Sequence, residues 1–292
     1  MPVNLVTFIG IDLAWSPRNP TGAAVLRGNI GGADLIDCGL LGDDAAIVAY
    51  IELHAGEDLA IVAVDAPLCV PNTTGRRPCE DELGRVFARY QAGAHPANRS
   101  RLAFDGIVRG EALVAALAAR GFVHAPEIAA GVPVRQVIEV FPHPAMVALF
   151  DLDRTLKYKA KPRRSAALRL SEWRRYQAYL AALAAADPPL HGQAALTAQD
   201  VTALRGRRLK DYEDQVDALM CAYIALYAFR WGAARCRSFG TFEGGYIFTP
   251  VPEGLWPRSD CRLSCVSRLL VSCLLPALLT SIRRRRRLGR QR

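Results

Sequence analysis

The chain has 292 residues, 51% of them hydrophobic, and a formal net charge of +9. That length suits one large domain or two small ones, with ample apolar residues for a core. Ten arginines and one aspartate lie from Arg258 onward, so residues 1–257 hold 27 basic and 27 acidic groups. The body is neutral, which excludes whole-chain basicity as an argument that it binds nucleic acid.

Eight cysteines form no C-x-x-C pair. Those in the body are scattered and mostly in apolar surroundings, which predicts reduced thiols and a cytoplasmic protein rather than a disulfide framework. No basic segment precedes the first apolar run, so no signal peptide is expected.

The first stretch, residues 6–15 (VTFIGIDLAW), reads as a buried strand ending on Asp12. A carboxylate at the tip of a buried strand needs a partner or a bound cation. For Asp12 alone, capping a turn is the plainer explanation; a ligand role gains weight only if other acids arrive by similar routes. Residues 22–28 and 33–41 follow as two further strands, giving an antiparallel meander. Residues 43–56 read as a helix capped by Asp43 or Asp44 and ended by Gly56. Residues 59–68 (LAIVAVDAPL) form a second buried strand that also ends on an acid, Asp65.

Residues 70–125 read as a helical and loop insertion, with helices near 80–90 and 110–120. A third apolar strand, 134–144 (VRQVIEVFPHP), carries Glu139 near its end and leads into a short helix at 145–149. A basic loop, KYKAKPRR at 157–164, precedes a long amphipathic helix at 165–186, and Thr197 is expected to cap another short helix. The clearest helix is 210–231, acidic at its start and apolar beyond, with acids placed to suit the helix dipole. A hairpin near 239–249 closes the body.

This order of elements resembles the ribonuclease H-like fold: an α/β domain over residues 1–257 whose mixed sheet has three antiparallel strands followed by parallel ones, flanked by helices. The resemblance implies an Asp from the first strand, a second acid from the fourth and one or two more from the last helix. Here these are Asp12, Asp65, and Asp214 with Asp217. The D-x-x-D-A start of the last helix is most similar to the resolvase-like branch. The motifs GIDLAWSPRNPTGAA, VDAPLCVPNTTGRRPCEDELG, YQAGAHPANRS, EVFPHPA, LKYKAKP and LKDYEDQVDALMCAYIALY together resemble a bacterial family, domain of unknown function family 429, predicted to be ribonuclease H-like nucleases. That resemblance runs from about residue 6 to about residue 250.

The chemistry stands on its own grounds. Mg²⁺ and Mn²⁺ prefer carboxylate oxygens and water. Two such ions can activate a water and stabilise the leaving oxygen of a phosphodiester. Asp214 and Asp217, spaced i, i+3, project from one helix face. Asp12, Asp65 and Asp217 are therefore the expected metal ligands, Asp214 an assisting or alternative ligand, and Glu139 either a further ligand or a group that orients a basic residue. For Asp214 and Glu213 the ordinary alternative is helix N-terminal charge; Asp217 sits where the helix turns apolar and needs a partner.

An acidic site acting on a polyanion needs basic groups at its rim. The candidates are Arg76, Arg77 and Arg99 in the insertion, and Lys157, Lys159 and Lys161 in the basic loop, with His95 and His143 set beside prolines. Solvated surface charge is the usual fate of such runs, and structural hydrogen bonding the usual fate of such histidines. The leading expectation is a Mg²⁺- or Mn²⁺-dependent nuclease acting on DNA or RNA. One alternative is a non-catalytic nucleic-acid or protein-binding module. The other is a sugar- or acetate-kinase-like phosphotransferase, which the absence of Gly-rich phosphate loops argues against. The apolar run at 269–282 is shorter than the roughly 20 residues that span a bilayer. The composition of 258–292 predicts a poorly ordered or non-native extension.

Overall fold

The computed structural model describes residues 5–257; the expectations for the Arg-rich tail lie outside the described residues. The opening apolar run forms β1 (Val6–Asp12). Both its faces are covered: Val6 and Phe8 enter one buried cluster, Ile9 and Ile11 another. That is why its sequence is continuously apolar rather than alternating. β2 (Thr21–Asn29) and β3 (Gly32–Leu41) complete an antiparallel meander. α1 (Asp44–Ala55) is capped by Asp43, which accepts from the Ala46 amide at 2.8 Å, and is closed by Gly56. β4 (Ala60–Val64) then pairs parallel to β1.

The insertion holds α2 (Pro78–Phe87), α3 (Arg99–Leu102), a small hairpin of β5 (Ala103–Phe104) and β6 (Ile107–Val108), and α4 (Arg109–Ala118). β7 (Val123–His124) and β8 (Arg135–Glu139) rejoin the sheet, followed by α5 (Pro142–Leu149) and α6 (Ala166–Ala182). β9 (Leu190–His191), α7 (Ala194–Thr197), α8 (Arg207–Trp231) and a hairpin of β10 (Cys236–Thr241) and β11 (Gly245–Pro250) finish the fold. The result is one seven-stranded mixed sheet in the order β7-β8-β4-β1-β2-β3-β9, flanked by helices. β2 alone runs against the other strands.

Several boundaries differ from the sequence expectation. β8 stops at Glu139 because Pro142 opens α5, where a first-turn proline loses no helical hydrogen bond. Thr197 ends α7 instead of capping it. The two-residue edge strands β7 and β9 are too short to leave a periodic signal. α8 begins at Arg207, so Arg207, Arg208 and Lys210 occupy its first turn and no acid does. The helix-dipole explanation for Glu213 and Asp214 therefore fails.

Two glycines seat α8 on the sheet. A Cβ on Gly10 of β1 would lie 2.0 Å from the Ala218 carbonyl oxygen, and one on Gly22 of β2 would lie 2.0 Å from that of Asp214. Gly22 is also the cross-strand partner of Asp12. Backbone-to-backbone contact at these points brings the acidic turns of α8 onto the end of β1.

Candidate functional site

Asp12 and Asp65 end neighbouring parallel strands. The register pairs Ile11 with Val64, and the Asp65 amide donates to the Ile11 carbonyl at 2.8 Å. Side chains alternate across a strand. Asp12 therefore shares the face of Phe8 and Gly10, and Asp65 the face of Ile61 and Ala63, the side on which α8 packs. α8 supplies Asp214 and Asp217 from that side. Asp12, Asp65 and Asp214 line one cleft of about 660 Å³, and Asp217, with 0% exposure, influences Asp12 and Asp65 from behind it.

The charges in this cluster are poorly balanced. Burial holds the Asp12 carboxyl well above its usual range; Lys159 opposes the rise, and Asp217, Asp65 and Asp214 add to it. Burial likewise pushes Asp65 up to about 7, again against Lys159, with Asp217 and Glu139 adding to the rise. Glu213 is raised by burial and by Asp217. Two lysines answer these acids. Lys159 Nζ lies 2.6 Å from Asp217 Oδ2, and Lys210 Nζ lies 2.6 Å from Asp214 and 2.7 Å from Glu213. Burial works against the Lys159 ammonium, but Asp217, Asp12, Glu213 and Asp65 hold its pKa well above the ordinary lysine value. Asp217 Oδ1 accepts from Tyr158 at 2.6 Å and from Tyr176 at 3.4 Å. Its Oδ2 is a buried oxygen with no aligned hydrogen bond, so the contact with Lys159 is an ion pair by distance alone.

Glu139 belongs elsewhere. Its register partner is Val64, not Asp65, which turns it toward the opposite face of the sheet. The Arg77 guanidinium grips it through both terminal nitrogens, at 3.0 and 2.7 Å, and the Leu68 amide donates to it at 2.8 Å. Arg77 also donates from Nε to Glu80 at 3.0 Å, and is 2% exposed. Of the two roles expected for Glu139, these contacts match the acid that orients a basic residue, and it does not line the cleft. Arg77 is a buried structural cation with no fork left for a phosphate.

The other basic candidates divide. Arg76 pairs with Asp81 at 2.6 Å and Arg99 with Glu111 at 2.6 Å, and neither lines the cleft. Lys157 does not line it either; its backbone amide donates to Glu172 at 2.7 Å. Lys159, Lys161, His95 and His143 do line it. His143 is kept neutral first by burial and then by Lys159 and Lys161, and its Nδ1 lies 3.2 Å from the Thr155 hydroxyl. His95 is lowered by burial and by Lys161, whose Nζ lies 3.4 Å from its Nε2. Lys159 is not the rim residue expected from its place in a basic loop. It sits inside the acid cluster.

Arg164, part of the basic loop singled out in the sequence, lines the cleft, and Tyr158 of the same loop is buried beneath it; sequence reasoning left unassigned Lys210 and Arg207, which also line it. The i, i+4 spacing of Lys210 and Asp214 was the available signal. Among the described residues, no three His, Cys, Asp or Glu side chains are gathered around one point as a metal-ligand set. The donor chemistry nevertheless fits a hard divalent cation: carboxylate oxygens, a surplus of buried negative charge, and one orphaned oxygen on Asp217. The cation that meets the cluster is the Lys159 ammonium, in contact with Asp217 and within the field of Asp12, Glu213 and Asp65. Among the described residues, no helix is long and apolar enough to cross a membrane, and the five described cysteines are free.

Neither a curated protein nor a solved structure matches the chain. A family model does match over residues 10–239, most of the folded body, and the chain belongs to that family, described as Protein of unknown function (DUF429).

Proposed function

We propose that the protein is a divalent-metal-dependent nuclease of the ribonuclease H-like type. The observation that carries this reading is the convergence, in one cleft, of Asp12 and Asp65 from adjacent parallel strands with Asp214 from the helix that crosses them, Asp217 lying directly behind. The central strand order β3-β2-β1-β4-β8, with β2 alone antiparallel, is consistent with that type of fold. Lys161, Arg164 and Arg207 place positive charge around an acidic floor, as binding of a phosphodiester requires.

Asp12, Asp65 and Asp217 are the residues that would hold Mg²⁺ or Mn²⁺, with Asp214 assisting. When bound, such an ion supplies a nucleophilic water at neutral pH and charge stabilisation at phosphorus. The protein's own part is to hold the acids rigid on β1, β4 and α8. Lys161, Arg164 and Arg207 bind the substrate's phosphates. His143, neutral and half-buried at the wall, donates or accepts a single hydrogen bond.

A second reading has one observation in its favour. The Lys159–Asp217 pair already neutralises part of the cluster, as a non-catalytic nucleic-acid-binding module would need. One assay separates the two: incubation of single-stranded, duplex and junction DNA and RNA with Mn²⁺, beside the Asp12→Asn protein. Cleavage by wild type and a loss of at least about 100-fold in the variant is the expected result. Binding without cleavage, or equal cleavage by both proteins, removes the nuclease reading.

A further inference from the structure

The cleft holds a cation of its own. Lys159 Nζ touches Asp217 at 2.6 Å and lies within the field of Asp12, Asp65 and Glu213. Its side chain keeps 22% exposure whereas Asp217 has none, so the lysine forms the cleft wall and the acid lies behind it. The backbone on either side is pinned. The Lys157 amide donates to Glu172 at 2.7 Å, the Tyr158 hydroxyl donates to Asp217 at 2.6 Å, and Arg164 donates to the Lys159 carbonyl at 3.0 Å. Only the four-carbon stem of Lys159 is free to turn, and the space beside it is the cleft of about 660 Å³.

We propose that Lys159 is a tethered cation that occupies the acid cluster in the metal-free protein, is displaced into the cleft when a divalent ion enters, and there meets the phosphate of the bound substrate. The inference rests on the metal-dependent reading above and deepens it. An ammonium and a divalent ion cannot share Asp217 Oδ2, because like charges a few ångströms apart repel strongly in a buried site. The orphaned geometry of Oδ2 fits a point charge that neutralises without coordinating. Once displaced, a lysine on a pinned loop reaches only the adjacent cleft, where it adds a charge next to Lys161 and Arg164.

The test is Mn²⁺ titration of wild type, Lys159→Met and the Lys159→Met/Asp217→Asn double variant, read by calorimetry and by the signal of free Mn²⁺. Methionine keeps the stem volume and removes the charge. The expected result is at least tenfold tighter Mn²⁺ binding by Lys159→Met than by wild type, lost in the double variant. A lysine with a merely structural role predicts equal or weaker binding, and that result overturns the inference while leaving the metal site standing. Absence of Mn²⁺ binding in every protein overturns the metal reading and this inference together. Should Lys159→Met fail to fold, wild type answers alone. Amine-selective reductive methylation, mapped by mass spectrometry, should leave Lys159 protected without metal and label it at least fivefold faster with saturating Mn²⁺; unchanged labelling overturns the displacement.

Discussion

Asp65 and Glu139 end adjacent parallel strands, one residue out of phase, and their surroundings treat them in opposite ways. Glu139 meets a bidentate arginine and a backbone amide, and that arginine is held in turn by Glu80. Every lone pair that matters is answered. Asp65 lies among Asp12, Asp217 and Asp214, with Lys159 as the main opposing charge, and it borders a cleft. Glu139 is buried and Asp65 half-buried, yet burial raises the pKa of both, so burial alone does not mark a functional carboxylate. What separates them is satisfaction: a closed network holds a fold together, whereas an under-neutralised one is a standing demand for a cation.

The largest expected effect lies in the closed cluster. Arg77→Met leaves Glu139 and Glu80 buried without their cation, which costs about 3–5 kcal/mol when a buried pair is broken from one side. Urea unfolding measures it. A loss below about 1 kcal/mol would mean that the network is not satisfied by Arg77 in the way described, and the contrast with Asp65 would lose its first half.

A smaller and more selective effect is expected from Gly22→Ala. The added methyl would overlap the Asp214 carbonyl, with 2.0 Å between the two atoms, so α8 must move off β2. Overpacking of this kind costs about 1–3 kcal/mol. It should strike the open cluster, carrying Asp214 and Asp217 away from Asp12, and spare the Arg77–Glu139 pair, which does not depend on α8. Weakened Mn²⁺ binding with a modest loss in urea unfolding is the expected combination. Loss of stability with unchanged Mn²⁺ binding would show that the seating of α8 does not set the spacing of the acids.

The parts of this contrast that the sequence made legible are the ones carried by local patterning. Asp12 and Asp65 each follow a continuous apolar run, and Asp217 sits where α8 turns apolar, so their placement could be argued from the chain alone. Glu139 follows the apolar pair Val137 and Ile138 and was open to the same argument. Only the register shows that it aligns with Val64. A clue was present: setting VDAP beside EVFP on their shared proline already shifts the acids by one position. The partner of Glu139 was beyond local reach, since Arg77 is 62 residues away. Lys159 was misplaced for a related reason. A lysine in a basic loop reads as surface charge until tertiary packing turns its stem inward beside the buried Tyr158. The two strand glycines, Gly10 and Gly22, were visible as exceptions in apolar strands, and close backbone approach is a standard cause of such exceptions. Which backbone approached could not be known.

The smallest expected effect is also the one whose sign decides most. Burial pushes the Asp65 carboxyl of the folded protein up to about 7, from the ordinary value near 3.8 that it regains on unfolding. Between those values the folded state keeps a proton that the unfolded state has released. Stability in the absence of metal therefore falls as pH rises through this window and levels off above it. Asp65→Asn cannot ionise. In the presence of EDTA it should match wild type near pH 4 and exceed it near pH 8 by about 1 kcal/mol, less than the roughly 1.36 kcal/mol per tenfold difference in proton affinity would give, because solvent reaches the half-buried group and screens it. For a domain of this size that is a rise in Tm of about 2–4 °C. Glu139→Gln should do the reverse near pH 8, because it strips Arg77 of its anion and leaves the guanidinium buried and uncompensated. Calorimetric scans of the two variants at both pH values provide the check. Opposite signs near pH 8 would establish that one acid is a structural partner and the other is held in place at the expense of stability, as a residue kept for binding a cation should be. If both substitutions lower Tm there, the Asp65 cluster is as well satisfied as the Glu139 cluster, and Lys159 alone suffices for it.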